Sequence, residues 1–262
     1  MDLGLRDRVA VVAAGSKGLG RAVAGALVAE GAKVVLCARG QEALAQACRE
    51  LTDAGGRCHT VVADVALPSD VARVIDEAQR VFGPVEILVT NSGGPKAGRF
   101  ETLTPEDWDA ATRVLLTSVV NFVHAVLPSM RVNKWGRILN VTSIAAKQPV
   151  DGLMLSNSLR AGVTAFARTL ASEVAAEGIT VNNLMPGYTR TERVVDLADQ
   201  MAAASGTTPA EIVTRWEAEI PMRRLGEPHE FGALAAFLAS DQAAYITGQS
   251  IAVDGGWIRG TF

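Results

Sequence analysis

The sequence predicts a single-domain α/β protein, with about seven mostly parallel strands doubly wound into one sheet and helices on both faces. Three observations lead there. Short Val- and Ile-rich runs alternate with longer helical patterns along the 262 residues. The runs are almost continuously hydrophobic, as strands are when helices cover both faces of a parallel sheet. No repeat, low-complexity segment or Pro/Gly-rich linker divides the chain, and regular alternation predicts βαβ units wound in one sense.

Strands are expected at 8–14 (RVAVVAA), 33–39 (KVVLCAR), 58–64 (CHTVVAD), 85–91 (VEILVTN), 136–143 (GRILNVTS), 179–185 (ITVNNLM) and 249–255 (QSIAVDG). The first helix opens at Leu19 and the second near Gln41. The third starts near Pro68, with Ser69 and Asp70 in its first turn. In "TPEDWDAA", Thr104 caps a helix, Pro105 suits its first turn and Asp107 complements its dipole. Two long helical patterns, around Trp108–Met130 and Ser156–Glu177, follow the fourth and fifth strands. The rhythm then breaks over 188–227, a helical, Ala-rich interval holding Met201, Trp216, Pro221 and Met222. An insertion at the carboxyl end of a sheet is placed to act as a substrate lid.

Bulk properties narrow the function. Hydrophobic residues make up 48%, charged residues 20%, and the net charge is -3. That balance gives no reason to expect nucleic acid or an anionic membrane as partner. No apolar stretch is expected to reach the roughly 18 residues of a membrane span, and residues 1–5 show no signal-peptide pattern. Cys37, Cys48 and Cys58 are odd in number and lack metal-like spacing, so reduced thiols in a cytoplasmic protein are expected. His59, His124 and His229 form no ligand set with them, and no metal is expected.

"VVAAGSKGLGRAVA" joins the first strand to the first helix. Gly15, Gly18 and Gly20 let the backbone turn tightly against a diphosphate, with Ser16, Lys17 and Leu19 between them. The amides opening the helix then face negative charge. NAD sites usually hold an acid about 20 residues on, bonding the ribose 2′-hydroxyl. The second strand ends instead in "LCARG", with Arg39 and no carboxylate. Lys17 and Arg39 together suit a 2′-phosphate, which favours NADP(H) over NAD(H). As solvated surface charges they would carry no such preference.

The order of these motifs resembles the short-chain dehydrogenase/reductase family, with its Rossmann-like fold, across essentially the whole chain. The family's TGxxxGxG loop matches "AAGSKGLG", Ala13 to Gly20, with alanine at the threonine and at the first glycine. Its adenine-contacting acid matches Asp64, followed by Val65. Its NNAG turn matches "TNSGG", giving Asn91, Ser92 and Gly93. Its proline-glycine turn beside the nicotinamide matches "MPGYTRT", giving Pro186, Gly187, Thr189 and Thr191, and "TGQSIAVDGG" looks like its last strand.

The resemblance also implies a catalytic asparagine, serine, tyrosine and lysine. The serine is Ser143. Ser156 stands where the tyrosine belongs, Arg160 where the lysine belongs, and Leu115 where the asparagine belongs. Ser156 and Arg160 keep the i, i+4 spacing and share a helix face. Their chemistry differs: a phenol ionises near pH 10, an aliphatic hydroxyl is a far poorer acid, and arginine stays protonated. Ser143, Ser156 and Arg160 can stabilise an alkoxide and orient water, but they cannot reproduce the family's acid. Tyr188, Tyr245 and Lys147 are the other candidate donors. Arg190, Arg193, Arg223 and Arg224 near the lid are candidates to meet an anionic or carrier-bound substrate.

The resemblance thus implies an NADP(H)-dependent oxidoreductase, 3-oxoacyl reductase-like, acting on a carbonyl or secondary alcohol. The substrate would be a small molecule or an acyl thioester. A nucleotide-binding protein with little redox turnover, or a dehydratase or isomerase on the same scaffold, are the alternatives. Family members pair through the two long helices, so a homodimer or homotetramer is expected.

Overall fold

The computed structural model describes residues 1–261. Its strands are β1 (Val9–Ala13), β2 (Lys33–Ala38), β3 (Arg57–Val62), β4 (Ile87–Thr90), β5 (Gly136–Val141), β6 (Ile179–Pro186) and β7 (Ser250–Val253). Its helices are α1 (Gly18–Ala29), α2 (Gln41–Asp53), α3 (Pro68–Phe82), α4 (Pro105–Thr112), α5 (Ser118–Asn133), α6 (Met154–Val174), α7 (Glu192–Ser205), α8 (Pro209–Glu219) and α9 (Pro228–Ala239). The sheet runs β3-β2-β1-β4-β5-β6-β7. Every pairing is parallel, where a mostly parallel sheet was expected.

Strand alternation divides the core in two. Ala10 and Val12 face one side and pack with Leu27 of α1, Leu44 of α2 and Phe231 of α9. Val11 and Ala13 face the other, with Val74 of α3, Phe122 of α5 and Leu170 of α6. The chain winds outward in both directions from β1 and β4, so loops leaving their carboxyl ends part and open a crevice. Under that crevice a buried polar ladder crosses the sheet. Thr90 donates to Asn140 at 2.8 Å, Asn140 to Asn183 at 3.1 Å, and Asn183 to Ser250 at 3.0 Å. Satisfied side chains at this depth fix strand register at the base of the site.

Thr104 and Asp107 form the capping box that opens α4, as their spacing predicts. The helix then passes through a π turn at Arg113–Thr117 into α5, and Ser118 Oγ donates back to Val114 O at 2.6 Å. The whole stretch Pro105–Asn133 is long and apolar enough to cross a membrane by length and composition, contrary to expectation. Its apolar residues are spread among polar ones, which hides it from a search for unbroken runs. In this fold Phe122, Val126 and Met130 are buried on α5 against the sheet.

The cysteine expectation is also corrected. Cys48 of α2 and Cys58 of β3 are joined sulfur to sulfur, their Cα atoms 5.6 Å apart, while Cys37 is free and buried. An odd count says nothing against a pair plus one interior thiol, and α2 packs beside β3.

After β6 the chain builds α7 and α8, which pack on each other around Ala198, Ala202, Ile212, Trp216 and Ile220. This small separate core makes the 188–227 interval a structured wall over the crevice.

Candidate active site

The carboxyl ends of the central strands open into a cleft of about 800 Å³. At one end lies the β1–α1 loop. The Gly15 amide donates to Cys37 O at 3.2 Å, pinning the loop to β2. Gly18 takes φ +52°, and Ala14, at the family's first glycine, is forced to φ +46°. Gly20 packs so closely that a Cβ there would collide with the Ala14 carbonyl and stand 2.9 Å from Asn91 Nδ2. No side chain caps α1 and its first turn holds no acid, so its opening amides are available to an anion. Ser16, Lys17, Gly18 and Leu19 line the cleft; Gly15 and Gly20 stand behind it and shape it.

Arg39, exposed just after β2, lines the same end, and no carboxylate pairs with it among the described residues. Lys17 does not stand beside it as a second free cation. Its Nζ meets Glu192 Oε2 at 2.8 Å, in an exposed pair linking the loop to the first turn of α7. The Asp64 carboxylate accepts from the Ala66 amide at 2.9 Å, and Val65 adjoins it on the wall. Asn91, Ser92 and Gly93 follow β4 along the floor. Across from them are Pro186, Gly187, Thr189 and Thr191; the Gly187 amide donates to Val253 O at 2.9 Å. Thr189 is buried, with Oγ1 donating to Gly187 O at 3.4 Å.

The other end brings Ser143, Ser156 and Arg160 together. Ser143 lies two residues past β5 and caps the 3-10 turn that follows, its Oγ accepting from the Ala145 amide at 3.1 Å. Ser156 is buried in the first turn of α6. One turn on, Arg160 Nη1 donates to Val141 O at 2.8 Å. Burial pushes the Arg160 pKa down to about 10, and the nearby Arg193 adds to that, so the guanidinium is still a cation at neutral pH. Behind it a cavity of about 10 Å³, bordered by Thr90, Ser118 and Thr142, has the size of a single water site.

Leu115 lies in the π turn, packed with Ala111, Leu155 and Leu159. Its side chain carries no group that could hydrogen-bond a water or relay a proton. Tyr188 lines the cleft but its ring is tied into the lid wall. It stacks on Trp216 at 4.4 Å and meets Trp257 edge-on, and burial, then Glu219, pushes its phenol up to about 12. Tyr245 is fully exposed, and Lys147 is exposed beyond the 3-10 turn after Ser143.

The lid arginines separate. Arg190 pairs with Glu217 and Glu227, and Arg224 with Glu230. Arg223 donates to the Ala218 carbonyl. Arg193 alone of the four lines the cleft, its Nη2 3.4 Å from Pro95 O. Glu192, which occupies Lys17, was not singled out from the sequence. The two are 175 positions apart, and no local pattern signals such a pair.

A family model described as enoyl-(acyl carrier protein) reductase matches residues 13–258. The chain is a short-chain dehydrogenase/reductase. Oxidoreductase UcpA of Escherichia coli (strain K12) is 35% identical to this family member over 253 residues, covering 96% of this chain and 95% of that one. Acetoacetyl-CoA reductase of Shinella zoogloeoides is 36% identical over 250 residues, covering 95% and 98%. Among solved structures, L-sorbose reductase from Gluconobacter frateurii, complexed with NADPH and L-sorbose, superposes with a TM-score of 0.94. It is 32% identical, covering 99% of this chain and 100% of its own. This short-chain dehydrogenase/reductase is therefore an oxidoreductase by family.

Proposed function

We propose that the protein is an NADP(H)-dependent carbonyl reductase, also able to run in reverse on a secondary alcohol. One observation carries this reading: the α1 end of the cleft keeps open helix amides and an unpaired Arg39, with no acid to take a 2′-hydroxyl. The relatives support it, since L-sorbose reductase and the actinorhodin polyketide ketoreductase were both determined with NADPH. The residues fit the coenzyme. Helix amides and Ser16 would hold the diphosphate, Arg39 the 2′-phosphate, and Asp64 and Val65 the adenine. Asn91, Pro186, Gly187, Thr189 and Thr191 would hold the nicotinamide half.

When bound, the reduced nicotinamide supplies hydride to a carbonyl carbon. The chain's part is electrostatic. Ser143 and Ser156 orient the carbonyl oxygen through their hydroxyls, and the Arg160 cation stabilises the negative charge that grows on it. With a serine at the α6 position and the Tyr188 ring stacked into the cleft wall, the proton comes from water held in the cleft. The substrate is a small molecule or an acyl thioester. The protein works in the cytoplasm as a homodimer or homotetramer paired through α5 and α6, without nucleic acid or membrane.

The Leu115 plug and the half-buried, stacked Tyr188 favour a second reading, a nucleotide-binding protein with little turnover. Fluorescence titration and NADPH oxidation separate the two. Arg39→Ala is expected to weaken NADPH by roughly 10- to 100-fold, the range for one charge-assisted contact, and to leave NADH unmoved. Equal affinity of the unmodified protein for both coenzymes would overturn the NADP assignment. Tight NADPH binding with no oxidation across a panel of ketones and oxoacyl thioesters would favour the second reading.

A further inference from the structure

Lys17, Arg39, Lys96, Arg160 and Arg193 are the cations lining the cleft. Lys17 is matched by Glu192 and Lys96 by Asp107, at 2.8 and 2.7 Å. Arg39 stands at the adenosine end. Arg160 and Arg193 remain, and no carboxylate pairs with either among the described residues. Among the described residues Arg160's side chain makes one hydrogen bond, to Val141 O, which uses a single N–H of the five on a guanidinium. Arg193 reaches from the first turn of α7 over the loop after β4. Its guanidinium lies so close on Gly94 that a Cβ there would stand 2.7 Å from its Nε.

The acids nearest in sequence do not serve Arg193. Glu192 is taken by Lys17, and Asp196 also acts on Lys17, raising its pKa after the larger effect of Glu192. The first turn of α7 thus sorts its charges, acids toward α1 and Arg193 toward α6. What remains is a pair of like charges lining the cleft, Arg160 half-buried at its α6 end, whose mutual repulsion is felt at Arg160. Removing a cation from water without an anion is costly, and the protein's own groups do not offset that cost here.

We infer that the substrate supplies the missing anion: a carboxylate a few bonds from the reacting carbonyl, held by the free edge of Arg160 and closed over by Arg193. The planar fork of each guanidinium matches a carboxylate in two-point fashion. The inference rests on the carbonyl reductase reading and narrows its substrate class to oxo acids. It also gives Arg160 a task that the family's lysine cannot share equally, since an ammonium is a point charge without the fork.

Calorimetric titration of the full chain, with and without saturating NADP+, tests this with pyruvate, acetoacetate and levulinate, each against its methyl ester. At least one acid is expected to bind about tenfold or more tightly than its ester, the yield of one charged hydrogen bond. That advantage should shrink toward one in Arg160→Ala and in Arg193→Ala, and survive largely in Arg193→Lys. If Arg160→Ala does not fold, Arg160→Gln and Arg193→Ala carry the test. Equal binding of acid and ester in all three pairs would overturn the inference. So would an advantage that persists in both alanine variants, or inorganic phosphate binding more tightly than every acid. If Arg160→Ala weakens NADP+ as much as it weakens the acid, and Arg193→Ala weakens neither, Arg160 belongs to the coenzyme and the inference falls. A separate NADP+ titration keeps the two readings apart, because loss of coenzyme binding with the acid preference intact sinks only the reductase.

Discussion

At the α1 end of the cleft the groups facing a ligand are mostly main-chain amides, while at the α6 end they are side-chain heads. Ala13 and Ala14 replace the family's threonine and glycine, yet the loop still turns and α1 still opens without a cap. Ser156, Arg160 and Leu115 stand where the family resemblance implies a tyrosine, a lysine and an asparagine, and on the proposed reading the chemistry there changes with them. A backbone device survives exchange of side chains as long as φ and ψ can be reached. A proton donor does not outlast the loss of its phenol.

The largest expected effect tests that contrast at the α6 end. In Ser156→Tyr/Arg160→Lys, reduction of a neutral ketone such as methyl acetoacetate should rise by about 100-fold or more, the usual yield of a placed general acid. Steady-state NADPH oxidation reads it. No rise would mean that the α6 end is shaped for other chemistry and not merely short of an acid. At the α1 end, Gly20→Val should abolish NADPH binding and lower stability by about 1–3 kcal/mol, because the side chain enters the Ala14 carbonyl. Urea denaturation and fluorescence titration together decide it; retained binding would show that the loop has more give than the geometry suggests.

A smaller effect sharpens the backbone half of the comparison. Ala14→Gly should stabilise the fold by about 1 kcal/mol, since alanine at φ +46° pays a left-handed strain that glycine does not. A destabilised variant in the same denaturation series would contradict this. The smallest concerns pH. Free tyrosine ionises near 10.0 and folded Tyr188 near 12, so the unfolded chain releases that proton first. The stability Tyr188 confers is therefore full below pH 10 and is lost as pH climbs toward 12. Tyr188→Phe should lack that part of the decline and keep its turnover, whereas a collapse of activity would restore Tyr188 as a donor.

Much of this was legible in the sequence because it is local. Val- and Ile-rich runs placed all seven strands to within about two residues, and Thr104, Pro105 and Asp107 marked the start of α4. What escaped is set by distant partners. The Cys48–Cys58 pair depends on α2 lying beside β3, which a count of cysteines cannot reveal. The π turn at Leu115 leaves no mark, since an apolar run reads alike in either helix type. Lys17 read as a phosphate ligand because Glu192, its counter-ion, arrives from the far side of the chain. The solitude of Arg193 became visible only once its three neighbours on the lid had found partners.

The Lys17–Glu192 bridge has a kinetic consequence. It fastens the rim of the nucleotide loop to the wall above it with two solvent-facing charges, a bond that dissolved ions loosen readily. Rising ionic strength should therefore unlatch the entrance while weakening the grip that the proposed NADP(H) site gives to the exposed Arg39. Arrival and retention of the coenzyme would then respond to salt in opposite senses.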